Sequence, residues 1–394
     1  MNKPRRKLQI PGATSFLASL ISIGVGLLFG LLLLVLLNPP FAGRGFINLI
    51  SAGVRSLDKL AKVLYQAAPL LMTGLSVGFA FKTGLFNIGA SGQYTVGAGV
   101  ALIFAIQFQM PWYVCLLAAM VGGAIWGVFP GLFKALFNVN EVITSIMFNW
   151  IAMFSVNLTI SNLPMMLAKY WGAAQTDRTA SLATANPSAL IPKLGLDELM
   201  NSNYMNISIF IAIFFAVIIW VLLSKTTFGY ELKACGFNRN ASVYAGINAK
   251  RNIVLSMVIA GALSGIGGGL YYLAGTGQYT LLKSLLNMGF NGIPVALLAS
   301  SHPLGTIFSA LFVSYIQVGG DAMQPEFVKE IIDIIIAVII YLAAFSLLVR
   351  ELLSRRKLHE YGNANDEAPG GPATAGAPAI PVSDSVPESE VEAP

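Results

Sequence analysis

The sequence predicts an all-α, polytopic membrane protein, a bundle of about ten transmembrane helices, some of them broken, with both termini in the cytoplasm. Three observations carry this expectation. Hydrophobic residues make up 56% of the chain and charged residues only 11%, against roughly 25% charged in an ordinary soluble domain. The apolar residues gather into runs near the ~18–20 residues needed to cross a ~30 Å hydrocarbon core. Runs such as Phe210 to Leu223 are apolar on every face, whereas a membrane barrel needs alternating segments of ~10 residues. A helix also satisfies its own backbone in lipid, which an isolated strand cannot do.

In chain order the runs fall at 15–37, 61–81, 92–108, 112–131, 142–160, 205–223, 252–273, 286–300, 304–319 and 327–349. Residues 1–14 carry Lys3, Arg5, Arg6 and Lys7 and read as a cytoplasmic segment. They resemble the start of a signal peptide, but Phe16 to Leu37 exceeds the usual 7–15-residue apolar region, so an uncleaved first helix is expected. The third and eighth runs are short and rich in glycine, as broken or re-entrant segments are. Residues 15–349 thus form the transmembrane domain. The polar stretch 161–204, with Pro164, Pro187 and Pro192, makes an external loop between two five-helix halves. The stretch 225–251, with Lys225, Lys233, Arg239, Lys250 and Arg251, makes a cytoplasmic one, because basic residues collect on the inner side. Residues 350–394 form a cytoplasmic tail that is expected to be disordered from about 362, where Pro, Ala, Gly, Ser and acidic residues take over.

The net charge of +6 does not indicate nucleic acid, since the basic residues form short clusters between runs rather than a stripe with interleaved aromatics. Cys115 and Cys235 lack metal-ligand spacing, and neither a disulfide nor a metal site is expected. His302 and His359 have no carboxylate cluster beside them, so catalysis has little to stand on. Gly92-Gln93-Tyr94-Thr95 recurs as Gly277-Gln278-Tyr279-Thr280 without alignable flanks, so a repeat is not inferred.

Two glycine-rich interruptions are the candidate substrate pathway. In Phe81 to Tyr94, three glycines and several polar residues, Asn87, Ser91 and Gln93 among them, break a hydrophobic run. Non-helical backbone at membrane depth is tolerated only when it is buried in protein or faces a water-filled cavity. The segment therefore lines or braces a pathway, with a helix restarting near Ser91, or else is a tight turn at the cytoplasmic surface. The second break, Ser284 to Pro294, carries Asn287 and Asn291. Carboxamides both donate and accept, which suits an uncharged polyhydroxylated or heterocyclic ligand; buried Asn also serves to join helices. Glu141 opens a run and reads as a first-turn acid complementing the helix dipole, with an intramembrane carboxylate as the other reading. Asp333 has Lys329 four residues earlier as its expected partner. In 225–251, Ala241 to Ala245 can form a short helix between Gly236 and Gly246, and the mixture of charge, small residues and aromatics suggests a docking surface.

Four motifs in order, Gly84-Leu-Phe-Asn-Ile-Gly-Ala-Ser-Gly-Gln93, Asn140-Glu-Val-Ile143, Gly229-Tyr-Glu-Leu-Lys-Ala-Cys-Gly-Phe-Asn238 with Tyr244-Ala-Gly-Ile247, and Gly289-Phe-Asn-Gly-Ile293, resemble those of ABC importer permeases of the ribose and branched-chain amino acid superfamily. The nucleoside (simple sugar) branch, which works with purine-binding lipoproteins, is the most similar. Ser91 stands where a Glu is common and Cys235 where an aliphatic residue is usual; the tail after Tyr361 lies outside the resemblance. The resemblance implies a non-enzymatic permease subunit in the bacterial cytoplasmic membrane, moving nucleosides or ribose-like sugars inward. Its implied partners are membrane lipid, a second related permease, a cytoplasmic ABC ATPase and an external substrate-binding lipoprotein, with no nucleic acid. The chain has no phosphate-binding loop, so it binds no cofactor and ATP falls to the partner ATPase. Gly229, Glu231, Lys233, Gly236, Asn238, Tyr244 and Gly246 would then belong to the loop that couples to that ATPase. An ion-driven transporter, the competing class, would need a buried carboxylate away from a helix end, and none is convincing.

Overall fold

The computed structural model describes residues 11–281 and 283–344. The expectations for residues 1–10 and for the tail beyond 344, and the Lys329 side chain proposed to pair with Asp333, lie outside the described residues. Among the described residues fifteen α-helices follow one another: α1 Pro11–Leu37, α2 Pro39–Ser51, α3 Leu57–Lys82, α4 Ala90–Leu102, α5 Trp112–Phe137, α6 Glu141–Ser161, α7 Leu182–Ala185, α8 Leu196–Met200, α9 Ser208–Lys225, α10 Thr227–Phe237, α11 Arg239–Tyr244, α12 Ala249–Leu273, α13 Asn287–Leu298, α14 Pro303–Asp321 and α15 Lys329–Ala344. Among the described residues there is no strand, only isolated bridges.

Helix ends follow local chemistry. Ser56, Asn140, Thr226, Asn238, Asn248 and His302 each accept a backbone N–H of the helix they precede, filling orphan donors of the first turn. Glu141 sits in the first turn of α6 and pairs with Lys134 at 2.9 Å, which is the first-turn reading. His302 is accounted for as the cap of α14, its Nδ1 accepting from Gly305 at 3.3 Å.

Among the described residues, α3, α5, α6, α9, α12 and α14 are each long and apolar enough to cross a membrane. The shorter pieces are distinctive. α4 has 13 residues and runs on into one π-helical turn, Ile103–Gln107, and α13 has only 12, about 18 Å of helix, well short of a full crossing. Enclosure is unequal: the apolar windows of α3 and α12 are 89% and 72% buried, those of α5, α6 and α9 only 39%, 39% and 33%. The central pair is α3 and α12; the outer helices expose Leu117, Val121, Ile125, Met147, Phe154 and Phe214, the surface a bilayer covers.

Glycine sets the central crossing. Gly123 and Gly127 on α5 face Gly261 and Gly265 on α12, and a Cβ on Gly123 would stand 2.3 Å from the Gly261 carbonyl oxygen. Small residues four apart on both partners let two backbones touch, which suits helix association in lipid, where apolar surface alone gives no preference.

Residues 161–204 are a folded cap rather than an open loop. Thr179 N–H donates to Tyr279 O at 2.9 Å, Leu281 N–H to Asp177 O at 2.8 Å, and Ile191 N–H to Leu273 O at 3.0 Å. The Asn186 amide donates to the carbonyls of Ala105 (2.8 Å) and Met110 (3.0 Å), closing the end of the π-helical turn. Tyr94 lies in the helix α4 and Tyr279 in the non-helical segment between α12 and α13, so the two Gly-Gln-Tyr-Thr stretches do not share a structure.

Candidate functional site

The Phe81 to Tyr94 break is irregular backbone from Thr83 to Gly89 between α3 and α4, and buried side chains hold it in place. Asn87 is fully buried, its amide donating to Ser76 Oγ at 3.0 Å and to Gln93 Oε1 at 2.8 Å; Gln93 returns a bond to Asn87 Oδ1 at 3.2 Å. The two carboxamides thus hold each other and tie the break to α3. Asn149, inside α6, clamps the far side: it donates to Ile88 O at 3.1 Å and accepts from Gly92 N–H at 2.7 Å. Ser264 on α12 donates to Ala90 O at 2.7 Å. Ring stacking of Phe81 on Phe86, centroids 5.0 Å apart, closes the turn.

Ser91 joins the two breaks. Its hydroxyl donates to Leu286 O at 2.9 Å, and a Cβ on Gly289 would lie 2.2 Å from Ser91 Cα. The first turn of α13 is therefore pressed against the first turn of α4. From there Asn287 and Asn291, one turn apart on one face, reach a cavity of about 660 Å³ bounded by α3, α13, α14 and α15, within the size range of small-molecule sites. Its polar wall adds Gln66, Gln317, Asp321 and Asp333, and its apolar wall includes Ile293, Pro294 and Leu297. Asp321 pairs with Lys62 at 2.8 Å, linking the end of α14 to the start of α3.

Of the five residues expected along the pathway, then, Asn287 and Asn291 are on the cavity wall, whereas Asn87, Ser91 and Gln93 are buried bracing residues behind it. Sequence reasoning missed Asn149, Gln66 and Gln317. A signal existed for Asn149, one of two carboxamides, with Asn157, within the apolar 142–160 run. Gln66 carried a similar one on α3.

The 225–251 stretch folds as α10 and α11, with α11 where Ala241 to Ala245 predicted a short helix. Thr226 donates to Leu222 O at 2.6 Å and accepts from Gly229 N–H at 3.0 Å. Gly229 makes the knee between α9 and α10, since a Cβ there would lie 2.0 Å from Leu222 O. Glu231 accepts from Asn252 of α12 at 3.3 Å, and Lys233 is half-buried. Asn238 caps α11, accepting from Ala241 N–H at 3.0 Å, and Gly246 ends it with φ +83°. Gly236 abuts the first break: a Cβ there would come within 2.8 Å of Gly84 N. Phe237 and Tyr244 stand free, 91% and 93% exposed.

Residues 59–344 match the family model described as branched-chain amino acid transport system / permease component. The chain is 34% identical to the guanosine ABC transporter permease protein NupP of Bacillus subtilis over 348 residues, 86% of this chain and 96% of that one. Similarity to the nucleoside ABC transporter permease protein NupB of Lactococcus lactis is 35% over 367 residues, 91% and 96% of the two chains. The glucose ABC transporter permease protein TsgB13 of Haloferax volcanii is 30% identical over 288 residues, 71% and 74%. The same two bacteria each hold a second guanosine or nucleoside permease that also matches, at 29% and 27% identity. No solved structure matches.

Proposed function

The chain belongs to the branched-chain amino acid transport system permease family, and from that premise we propose that it forms half of the translocation pathway of an ATP-driven importer that carries nucleosides inward. It is a multi-pass membrane protein, a transporter subunit rather than an enzyme. Near-full-length likeness to guanosine and nucleoside permeases carries the substrate assignment. The cavity agrees with it, since carboxamides on α3, α13 and α14 suit base edges and hydroxyls, and the apolar residues of α13 suit a ring face.

In this reading Asn287 and Asn291 touch substrate, while Asn87, Gln93 and Ser91 hold the broken helices in register around it. The loop α10–α11 docks on a separate ATPase through Phe237 and Tyr244, with Gly229, Glu231, Lys233, Asn238 and Gly246 fixing its shape. Gly236 bears on the turn that leads to Asn87. ATP is bound and hydrolysed by that partner; an external lipoprotein delivers substrate and a second, related permease completes the pathway. Closure of the ATPase pair pushes α10 against the break and rocks the bundle between its two openings.

The likeness to TsgB13 supports sugar as the second reading. Whole-cell uptake separates the two. Removing this chain abolishes accumulation of labelled guanosine and leaves ribose and glucose entry intact; loss of sugar uptake with guanosine uptake unchanged overturns the assignment.

A further inference from the structure

The cavity contains one feature that bracing does not explain. Gln66 lies on α3 at its wall, and Oε1 of Gln66 is buried with no hydrogen-bond partner among the described residues. A carbonyl oxygen withdrawn from water normally has a donor, and each exception calls for an explanation. The turn that bears it is held firmly: neighbouring Tyr65 donates to Tyr271 O at 3.1 Å and stacks on the Tyr271 ring, centroids 5.4 Å apart. Gln66 as a whole is only half-buried and lines the cavity, so a turn of its carboxamide brings this unpaired acceptor onto a ligand that carries an N–H or O–H.

We infer that Gln66 is a specificity-determining residue whose side-chain carbonyl accepts an N–H from the nucleobase during passage. The inference rests on the nucleoside reading above. The base is the favoured donor for two reasons. Asp321 and Asp333, in the same cavity, are charged and so stronger acceptors for ribose hydroxyls. A carboxamide also places C=O beside NH₂, matching the adjacent donor and acceptor of a base edge, as Asn and Gln do when they read adenine. Asn287 and Asn291 on the wall of the same cavity offer the same chemistry, so a base can be held by amides on two helices while its ring lies against Ile293 and Pro294.

The test compares inosine with purine riboside, which has the same ribose and ring system but no base N–H donor. Uptake is measured in proteoliposomes that contain the complete complex with its binding lipoprotein, carrying either the native chain or Gln66→Met, a substitution of similar length and volume. Because the lipoprotein is common to both, its own preference cancels when the inosine-to-purine-riboside rate ratios are compared. One neutral hydrogen bond corresponds to a change of about two- to tenfold. The ratio is expected to fall by that factor in Gln66→Met, with subunits copurifying as before. Equal slowing of both substrates overturns the inference, because a structural role does not discriminate between them. A change that instead follows inosine against 2′-deoxyinosine also overturns it, placing Gln66 on the ribose. Transport of neither nucleoside by the native complex removes the nucleoside reading itself, and the inference with it.

Discussion

Replacing Asn87 by leucine, which has a similar branched shape, removes three hydrogen bonds where no solvent can replace them. Those lost are the bonds to Ser76 (3.0 Å) and Gln93 (2.8 Å) and the return bond from Gln93 (3.2 Å), and both Asn87 and Gln93 are at most 1% exposed. Each bond contributes about 0.5–1.5 kcal/mol, and a buried amide left without a partner costs about 1–3 kcal/mol more. Interhelical bonds in membrane proteins fall at the low end, near 0.6 kcal/mol, so the expected loss is about 2–5 kcal/mol. Equilibrium unfolding of the purified permease in detergent measures it. The double variant Asn87→Leu with Gln93→Leu has both amides removed and regains about 1 kcal/mol or more over the single variant, because replacing both partners is cheaper than stranding one. Transport falls in proportion to folded protein, with the preference among nucleosides unchanged. Native-like stability of Asn87→Leu combined with altered substrate preference would refute the bracing role and place Asn87 on the substrate.

Three further outcomes follow from the docking role and the orientation proposed for α10 and α11. Gly236→Ala sets a Cβ against the backbone of Thr83 and Gly84 at 2.8 Å, an overpacking worth about 1–3 kcal/mol, and lowers substrate moved per ATP hydrolysed; Gly246→Ala meets open space and costs only about 1–2 kcal/mol for φ +83°. If the two variants couple equally well, the Gly84–Gly236 contact transmits nothing. Tyr244→Ser, at a residue 93% exposed, changes stability by less than about 0.5 kcal/mol and reduces ATPase copurification at least tenfold; unchanged copurification makes α11 a solvated connector. An impermeant maleimide applied to intact cells labels a cysteine introduced at the exposed Tyr170 (Tyr170→Cys) and leaves Cys235 unlabelled; the reverse pattern inverts the topology.

Hydrophobic run length located the long helices α3, α5, α6, α9, α12 and α14 but not the ten full spans expected, and it passed over α2, Pro39–Ser51; the long helices were legible because each apolar stretch folds locally and its cap lies a few residues away, as with Asn140 before α6 or Asn248 before α12. The breaks were legible for the same reason: glycines and carboxamides within apolar runs stand out without any knowledge of partners. What could not be read was which residues meet. Asn149 closes the first break from 57 positions beyond Gly92, Gly236 touches Gly84 across the bundle, and Gly123 faces Gly261; none of these pairs shares a periodicity. The same limit separates Asn287 from Asn87. Both are asparagines in glycine-rich breaks, but only the fold assigns one to the cavity wall and gives the other a glutamine to hold. The stretch 161–204 reads as polar loop because its order comes from long-range backbone pairing with 273–281, which leaves no apolar signature.

The central claim, that this chain is a pathway subunit powered by a separate ATPase, is tested most directly by uptake of labelled guanosine into proteoliposomes. Vesicles are prepared with this chain alone, and with this chain together with its second permease, ATPase and binding lipoprotein. The account predicts accumulation only in the complete assembly, only with ATP on the side of α10 and α11, and none with the chain alone under a proton or sodium gradient. Accumulation by the chain alone under such a gradient, without ATP, would contradict it.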